Sequence, residues 1–80
     1  MLDTASGAPP PESGLLTAIA ERIRVERARQ KLTQEELAHR SGLSRVHLGT
    51  IERAEVSCSV TVLAQIAKAL ELPTRALLPD

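Results

Sequence analysis

The sequence predicts an all-α fold, a compact domain of five short helices. Three observations carry this. Apolar residues recur at helical spacing from about residue 15 onward. Small capping residues stand ahead of those stripes, at Ser13, Thr33, Ser44, Ser59 and Thr74. No stretch shows strand alternation, and there are no internal repeats. Eighty residues allow one domain with a small core. The hydrophobic content is 42 % with no Phe, Tyr or Trp, so that core must be made of Leu, Ile, Val and Ala.

Residues 1 to 12 are rich in Pro, Gly and Ser without periodicity, and read as a disordered arm ahead of a folded domain over 13–80. The arm carries only Asp3 and Glu12, which gives it no means of gripping an anion. The first helix is expected from about Leu15 to Gln30, capped by Ser13, with Leu16, Ile19, Ala20 and Ile23 as its apolar stripe. Thr33 and Glu36 have capping-box spacing, which starts a second helix at Gln34 and carries it to about Arg40 with Leu37 and Ala38 inward. Gly42 stands where the chain must leave that helix and favours positive φ, Leu43 follows as an apolar plug, and Ser44 caps a third helix over Arg45–Arg53. There Leu48 and Ile51 face inward and leave Arg45, Val46, Gly49 and Thr50 outside. Ala54 to Cys58 form a loop. Ser59 caps a fourth helix whose inward residues are Leu63, Ile66, Ala67 and Leu70; Pro73 ends it, and Thr74 caps a last turn over Arg75–Leu78.

Two short helices joined by a tight turn containing Gly form the helix-turn-helix layout. The net charge is zero, but it is unevenly placed. Between Arg22 and Arg53 eight basic residues face four acids, a net of +4, while the rest of the chain has two basic residues and six acids, a net of −4. A polarised molecule can offer a positive face to phosphate while staying neutral overall.

On Gln34, Leu37, Ala38, Gly42, Leu43, Leu48, Ile51 and Glu52, the chain resembles the phage Cro and repressor type of helix-turn-helix family. Arg27 and Leu32 stand before the motif at the family's spacing, and residues 59–73 are similar to its fourth helix. The likeness covers about residues 16 to 78 and implies a lambda-repressor-like DNA-binding domain. In that geometry the third helix enters the major groove with its first residues at base edges. Arg45 is the leading reader, since a guanidinium bonds guanine O6 and N7 together. Val46 is placed to touch a thymine methyl or to be partly buried, and Thr50 matches another base-contact position. His47 stands as a base or phosphate contact or as a plain surface histidine. Gln34 matches the family residue that bonds a phosphate at a helix N-terminus. Ser44, Arg53, Ser57 and Ser59, with Arg24 and Arg40 behind them, are the other phosphate candidates. The resemblance further implies that Arg27 and Glu52 pair inside the domain.

Function is expected to follow as a transcription regulator, homodimeric on a pseudo-palindromic double-stranded DNA operator, with Leu70, Leu72, Leu77 and Leu78 as the dimer surface. The short layout, with Ser44-Arg45 and Ile51-Glu52-Arg53, is similar to the controller proteins of restriction–modification operons. It departs from them over Ala54–Ser57, where they often carry Asn or basic residues and Glu55 here repels phosphate. A phage-type repressor, an antitoxin or a protein-interaction adaptor on the same fold stands as the alternative. No enzyme is expected, because no nucleophile has a base and an orienting partner in sequence. No cofactor is expected either: His39, His47 and Cys58 lack metal-ligand spacing. One cysteine and the lack of a membrane span or leader suit the cytoplasm. The length leaves no room for a small-molecule effector domain.

Overall fold

The computed structural model describes residues 11–79, with side chains from residue 14 onward. The elements are α1 (Pro11–Arg29), α2 (Gln34–Ser41), α3 (Arg45–Glu52), α4 (Val60–Ala69) and a 3-10 turn (Thr74–Leu77). The expected fifth helix is therefore that one turn, and four residues are too few for more. Thr74 is its first residue, not its cap, and no side chain caps it. Helix α1 begins at Pro11, ahead of the expected Leu15, which leaves Ser13 inside the helix. A proline suits the first helical turn, where its missing N–H would have no partner. Of the arm expected over 1–12, residues 1–10 lie outside the described residues, and 11 and 12 belong to α1.

Local chemistry fixes the other helix starts. The Thr33 hydroxyl accepts from the Glu36 N–H at 3.0 Å, and the Glu36 carboxylate accepts from the Thr33 N–H at 2.7 Å. Chiefly through that backbone bond, the Glu36 carboxyl is held below the usual carboxylate range. Ser44 and Ser59 accept from the N–H groups of His47 and Val62.

Four helix ends share one device. The chain turns left-handed at Lys31 (φ 58°), Gly42 (76°), Ala54 (59°) and Glu71 (60°). The next residue then reaches back to a carbonyl five positions earlier, in the pairs Leu32–Arg27, Leu43–Ala38, Glu55–Thr50 and Leu72–Ala67. This is the Schellman closure. Only one of the four uses glycine, so the other three carry the left-handed penalty of an L-residue, about 1–2 kcal/mol each. Ala54→Gly is accordingly expected to raise the unfolding free energy by about 1 kcal/mol after the entropy that glycine adds to the unfolded chain is deducted. A denaturant midpoint at or below that of the parent would contradict it.

The core gathers Ile19, Ala20 and Ile23 of α1, Leu37 and Ala38 of α2, Leu48 and Ile51 of α3, and Leu63, Ile66 and Ala67 of α4, with Leu32, Leu70 and Leu77. Helix α2 packs on α3 and α4, α1 packs on α3, and the 3-10 turn closes over α4 and α1. Leu16, expected on the α1 stripe, is only half-buried. Ser41 is a buried polar residue that the sequence did not announce; its hydroxyl donates back to the Leu37 carbonyl at 2.7 Å, which removes the cost of burying it. The Gln30 side chain donates to the Leu70 carbonyl at 2.8 Å, and Arg22 donates to that of Ala76 at 3.0 Å, tying α1 to the C-terminal part.

The expected dimer surface needs correction here. Leu70 and Leu77 are 1 % and 0 % exposed within a single protomer, because they fill the space between α4, α1 and the 3-10 turn. They hold the protomer together and have no surface to give a partner. Leu72 is half-buried against the core, and Leu78 is exposed.

Candidate nucleic-acid interface

Helices α2 and α3 are joined by Gly42, Leu43 and Ser44. The left-handed Gly42 reverses the chain, the half-buried Leu43 anchors the turn to the core, and Ser44 launches α3. Leu48 and Ile51 are buried, so the opposite face of α3 points to solvent.

That face opens on Arg45, Val46 and His47, all exposed. Arg45 forms no hydrogen bond or ion pair among the described residues, and the first turn of α3 holds no acid. A cation near a helix N-terminus is unfavourable without an anion opposite, so its five donors are presented outward at a local cost. Val46 is 68 % exposed, which removes the partly buried alternative. Thr50, one turn on, is half-buried, and its hydroxyl donates to the His47 carbonyl at 2.7 Å. Its oxygen remains an acceptor and its methyl a contact surface.

Gly49 is buried, contrary to the outward position expected from the helical pattern. A Cβ there would lie 3.1 Å from Arg53 Nη1 and 3.5 Å from Gln34 Oε1. The bare backbone leaves room beside α3 for the Gln34 side chain from α2 and the Arg53 side chain after α3. This room is what glycine supplies in exchange for its poor helix propensity.

Behind this face lies a hub on Glu52. Arg27 donates from Nε to Glu52 Oε2 at 2.8 Å and from Nη2 to Oε1 at 3.1 Å. Gln34 Nε2 donates to the same Oε1 at 3.1 Å. Arg27 Nη1 donates to the Leu32 carbonyl at 3.0 Å, and Arg24 Nη1 donates to the Glu52 backbone carbonyl. One carboxylate with a 3 % exposed side chain thus ties α1, the turn before α2 and the start of α2 to the end of α3. The structure brings Arg27, Glu52, Gln34 and Arg24 together, and it fixes the recognition helix from behind. Gln34 and Arg24, both phosphate candidates, each spend one donor inward and keep others. The link through Gln34 and Arg24 was not visible in the sequence.

The remaining phosphate candidates lie around α3. The hydroxyls of Ser44 and Ser59 are caps that accept from backbone N–H groups, so each keeps its own proton to donate outward. Ser57 is exposed in the loop. Arg53 is exposed but engaged by the carboxylate of Glu55, at 2.8 and 3.2 Å. Arg40 is exposed at the far end of α2.

Cys58 is half-buried, and burial pushes its thiol pKa upward. The thiolate is the reactive form. Cys58 is therefore expected to be alkylated at neutral pH more slowly than a free thiol such as glutathione; an equal or faster rate would contradict the environment described. No group of three His, Cys, Asp or Glu among the described residues could hold a metal ion. No described helix is long and apolar enough to cross a membrane.

Comparison with known proteins agrees with this geometry. Residues 18–80 match the helix-turn-helix domain family. The chain is 42 % identical over 52 residues to the control protein C.SmaI of Serratia marcescens, covering 65 % of this chain and 62 % of that one. It is 37 % identical over 62 residues to the immunity repressor protein of Bacillus phage phi105, covering 78 % of this chain and 43 % of that one. Among solved structures, the restriction-modification controller protein C.AhdI from Aeromonas hydrophila superposes with a TM-score of 0.76 at 35 % identity, covering 78 % of this chain and 94 % of that one. The chain spans 28 to 62 % of the length of the curated relatives it matches.

Proposed function

Because the chain belongs to the helix-turn-helix domain family, we propose that it is a sequence-specific transcriptional regulator that binds double-stranded DNA as a homodimer. The observation that carries this reading is the first turn of α3. Arg45, Val46 and His47 stand exposed side by side, with Arg45 unpaired among the described residues, on a helix locked from behind by Glu52. A reader of base edges needs this combination, free donors and a methyl surface on a rigid support.

Around the readers stand the phosphate contacts. Gln34, Ser44 and Ser59 lie at the starts of α2, α3 and α4, where backbone N–H groups and the helix dipole add to the side chains. Arg53 and Ser57 follow α3, and Arg24 stands behind them. Contacts of this kind set register on the duplex without reading sequence. A core of this size without aromatic side chains gains from burying more apolar surface. The C-terminal end, with Leu78 exposed and Leu72 half-buried, is the surface proposed for pairing. Two-fold pairing would place two copies of α3 in successive major grooves about 34 Å apart, on a pseudo-palindromic operator. Similarity to C.SmaI and C.AhdI supports control of a restriction–modification operon as the biological setting. Regulation through protein concentration, dimerisation or a partner would suit that setting.

Backbone amide NMR during titration with a DNA duplex tests the face. Shift changes are expected at Gln34, over Ser44–Thr50, at Arg53 and over Ser57–Ser59. Changes confined to α1 and α4, or no change at all, would move the reading to a protein-interaction adaptor.

A further inference from the structure

The four helix ends carry an observation that DNA contact alone does not absorb. In three of them the residue after the left-handed turn is a leucine set into or against the core, at Leu32, Leu43 and Leu72. An apolar side chain at this position normally completes a Schellman closure. After α3 the same position holds Glu55, and it is exposed. Its backbone N–H is fixed to the Thr50 carbonyl at 2.9 Å, so the turn sets its main chain and brings the side chain within reach of Arg53.

It stands on Arg53. Nε donates to Oε2 at 2.8 Å and Nη2 to Oε1 at 3.2 Å, two parallel bonds between a fork and a pair of oxygens. A DNA phosphate offers an arginine the same pair of acceptors. The third arm of the guanidinium, Nη1, lies over bare Gly49, where the Gln34 amide also arrives. Arg53 and Gln34 thus flank bare Gly49 on α3, and the Glu55 carboxylate is already seated on the Arg53 fork. The pairing also holds the Glu55 carboxyl below its usual range.

We propose that Glu55 is an internal stand-in for a DNA phosphate, occupying the fork of Arg53 until a duplex displaces it and so setting how tightly the chain holds the DNA backbone. The inference rests on the DNA-binding reading above. Backbone contacts supply nearly all of the affinity for random DNA. An acid that competes for one of them weakens that affinity while leaving the base readers untouched. The pair is well placed for displacement: both side chains are more than half exposed, and exposed pairs are only weakly held.

The test uses the intact chain and a random-sequence duplex, titrated at several salt concentrations. Four proteins are compared: the parent, Glu55→Ala, Arg53→Ala and the double variant. Glu55→Ala is expected to bind up to about fivefold more tightly per protomer, the most that an exposed pair can withhold. This gain should vanish in the Arg53→Ala background. Equal gains with and without Arg53 would mean that only a negative charge had been removed, and would overturn the proposal. No gain at all, with the parent still binding duplex, would overturn it and leave the DNA-binding reading standing. Failure of the parent and of Glu55→Ala alike to bind any duplex would sink both. A carboxyl NMR titration of the free protein adds a readout without DNA: Arg53→Ala should return Glu55 to the ordinary carboxylate range, and an unmoved titration would refute the pairing.

Discussion

Glu52→Ala is expected to destabilise the domain by about 3–5 kcal/mol, whereas Glu55→Ala should leave stability nearly unchanged. Both residues accept two bonds from an arginine, so pair counting alone would rank them together. Burial separates them. The Glu52 side chain is 3 % exposed and its Arg27 partner 23 %, while Arg53 and Glu55 are 57 % and 53 % exposed. Removing the Glu52 carboxylate leaves the largely buried Arg27 charge without its counter-ion and unties the Gln34 side chain in the same step. Removing Glu55 returns Arg53 to solvent. In a domain of this size each kcal/mol moves the melting temperature by about 4–8 °C. The two variants should therefore melt more than about 10 °C apart, and equal melting temperatures would refute the assigned hub. The buried pair need not add net stability over an apolar replacement of the same shape. Its work is to hold α3 at a fixed angle to α1 and α2.

Arg45→Ala should leave the fold intact and remove most operator binding. The side chain is exposed and unpaired among the described residues, and its charge sits at the unfavourable end of the α3 dipole. Alanine is also the better helix former, so the melting temperature should hold or rise slightly. A bidentate guanine contact is worth about 1–3 kcal/mol of discrimination. Two half-sites in one dimer double that to about 2–6 kcal/mol, so operator affinity should fall by more than about thirtyfold. Affinity for random duplex should fall much less, because the backbone contacts remain. Unchanged operator affinity at constant salt would remove Arg45 from the readers and leave Val46, His47 and Thr50 to carry recognition.

Much of this fold is legible from residue chemistry because local signals and tertiary packing agree. Thr33 with Glu36 and the serine caps at 44 and 59 each fix a helix start by a side-chain hydrogen bond, and Gly42 with Leu43 ends α2 in a left-handed turn closed by backbone bonds. Three ends were not legible, since Lys31, Ala54 and Glu71 adopt a left-handed backbone without the glycine that advertises it. A leucine immediately after the turn was the available sign at Lys31 and Glu71, and Ala54 has none. Helical periodicity also misplaced Gly49. It counts angles around an axis and cannot know that the Gln34 side chain from α2 and that of Arg53, the α3 C-cap, will both lie beside that position. The surplus leucines misled for a related reason. Leu77 follows the main stripes and looks unclaimed in sequence, yet the 3-10 turn buries it in the protomer, and Leu70, inward on the α4 stripe, is spent in the core as well. In the interface, the reading positions follow from the start of α3. The engagement of Arg53 by Glu55 depends on a backbone turn that only the structure displays.

The central claim is that this chain reads a DNA sequence with α3 as a two-fold dimer. Selection of bound sequences from a random duplex pool, followed by titration of the enriched duplex at fixed salt, tests it most directly. A two-fold-related motif bound at least about 10³-fold more tightly than random duplex is expected. No enriched motif, or weak binding that disappears as salt is raised, would contradict it.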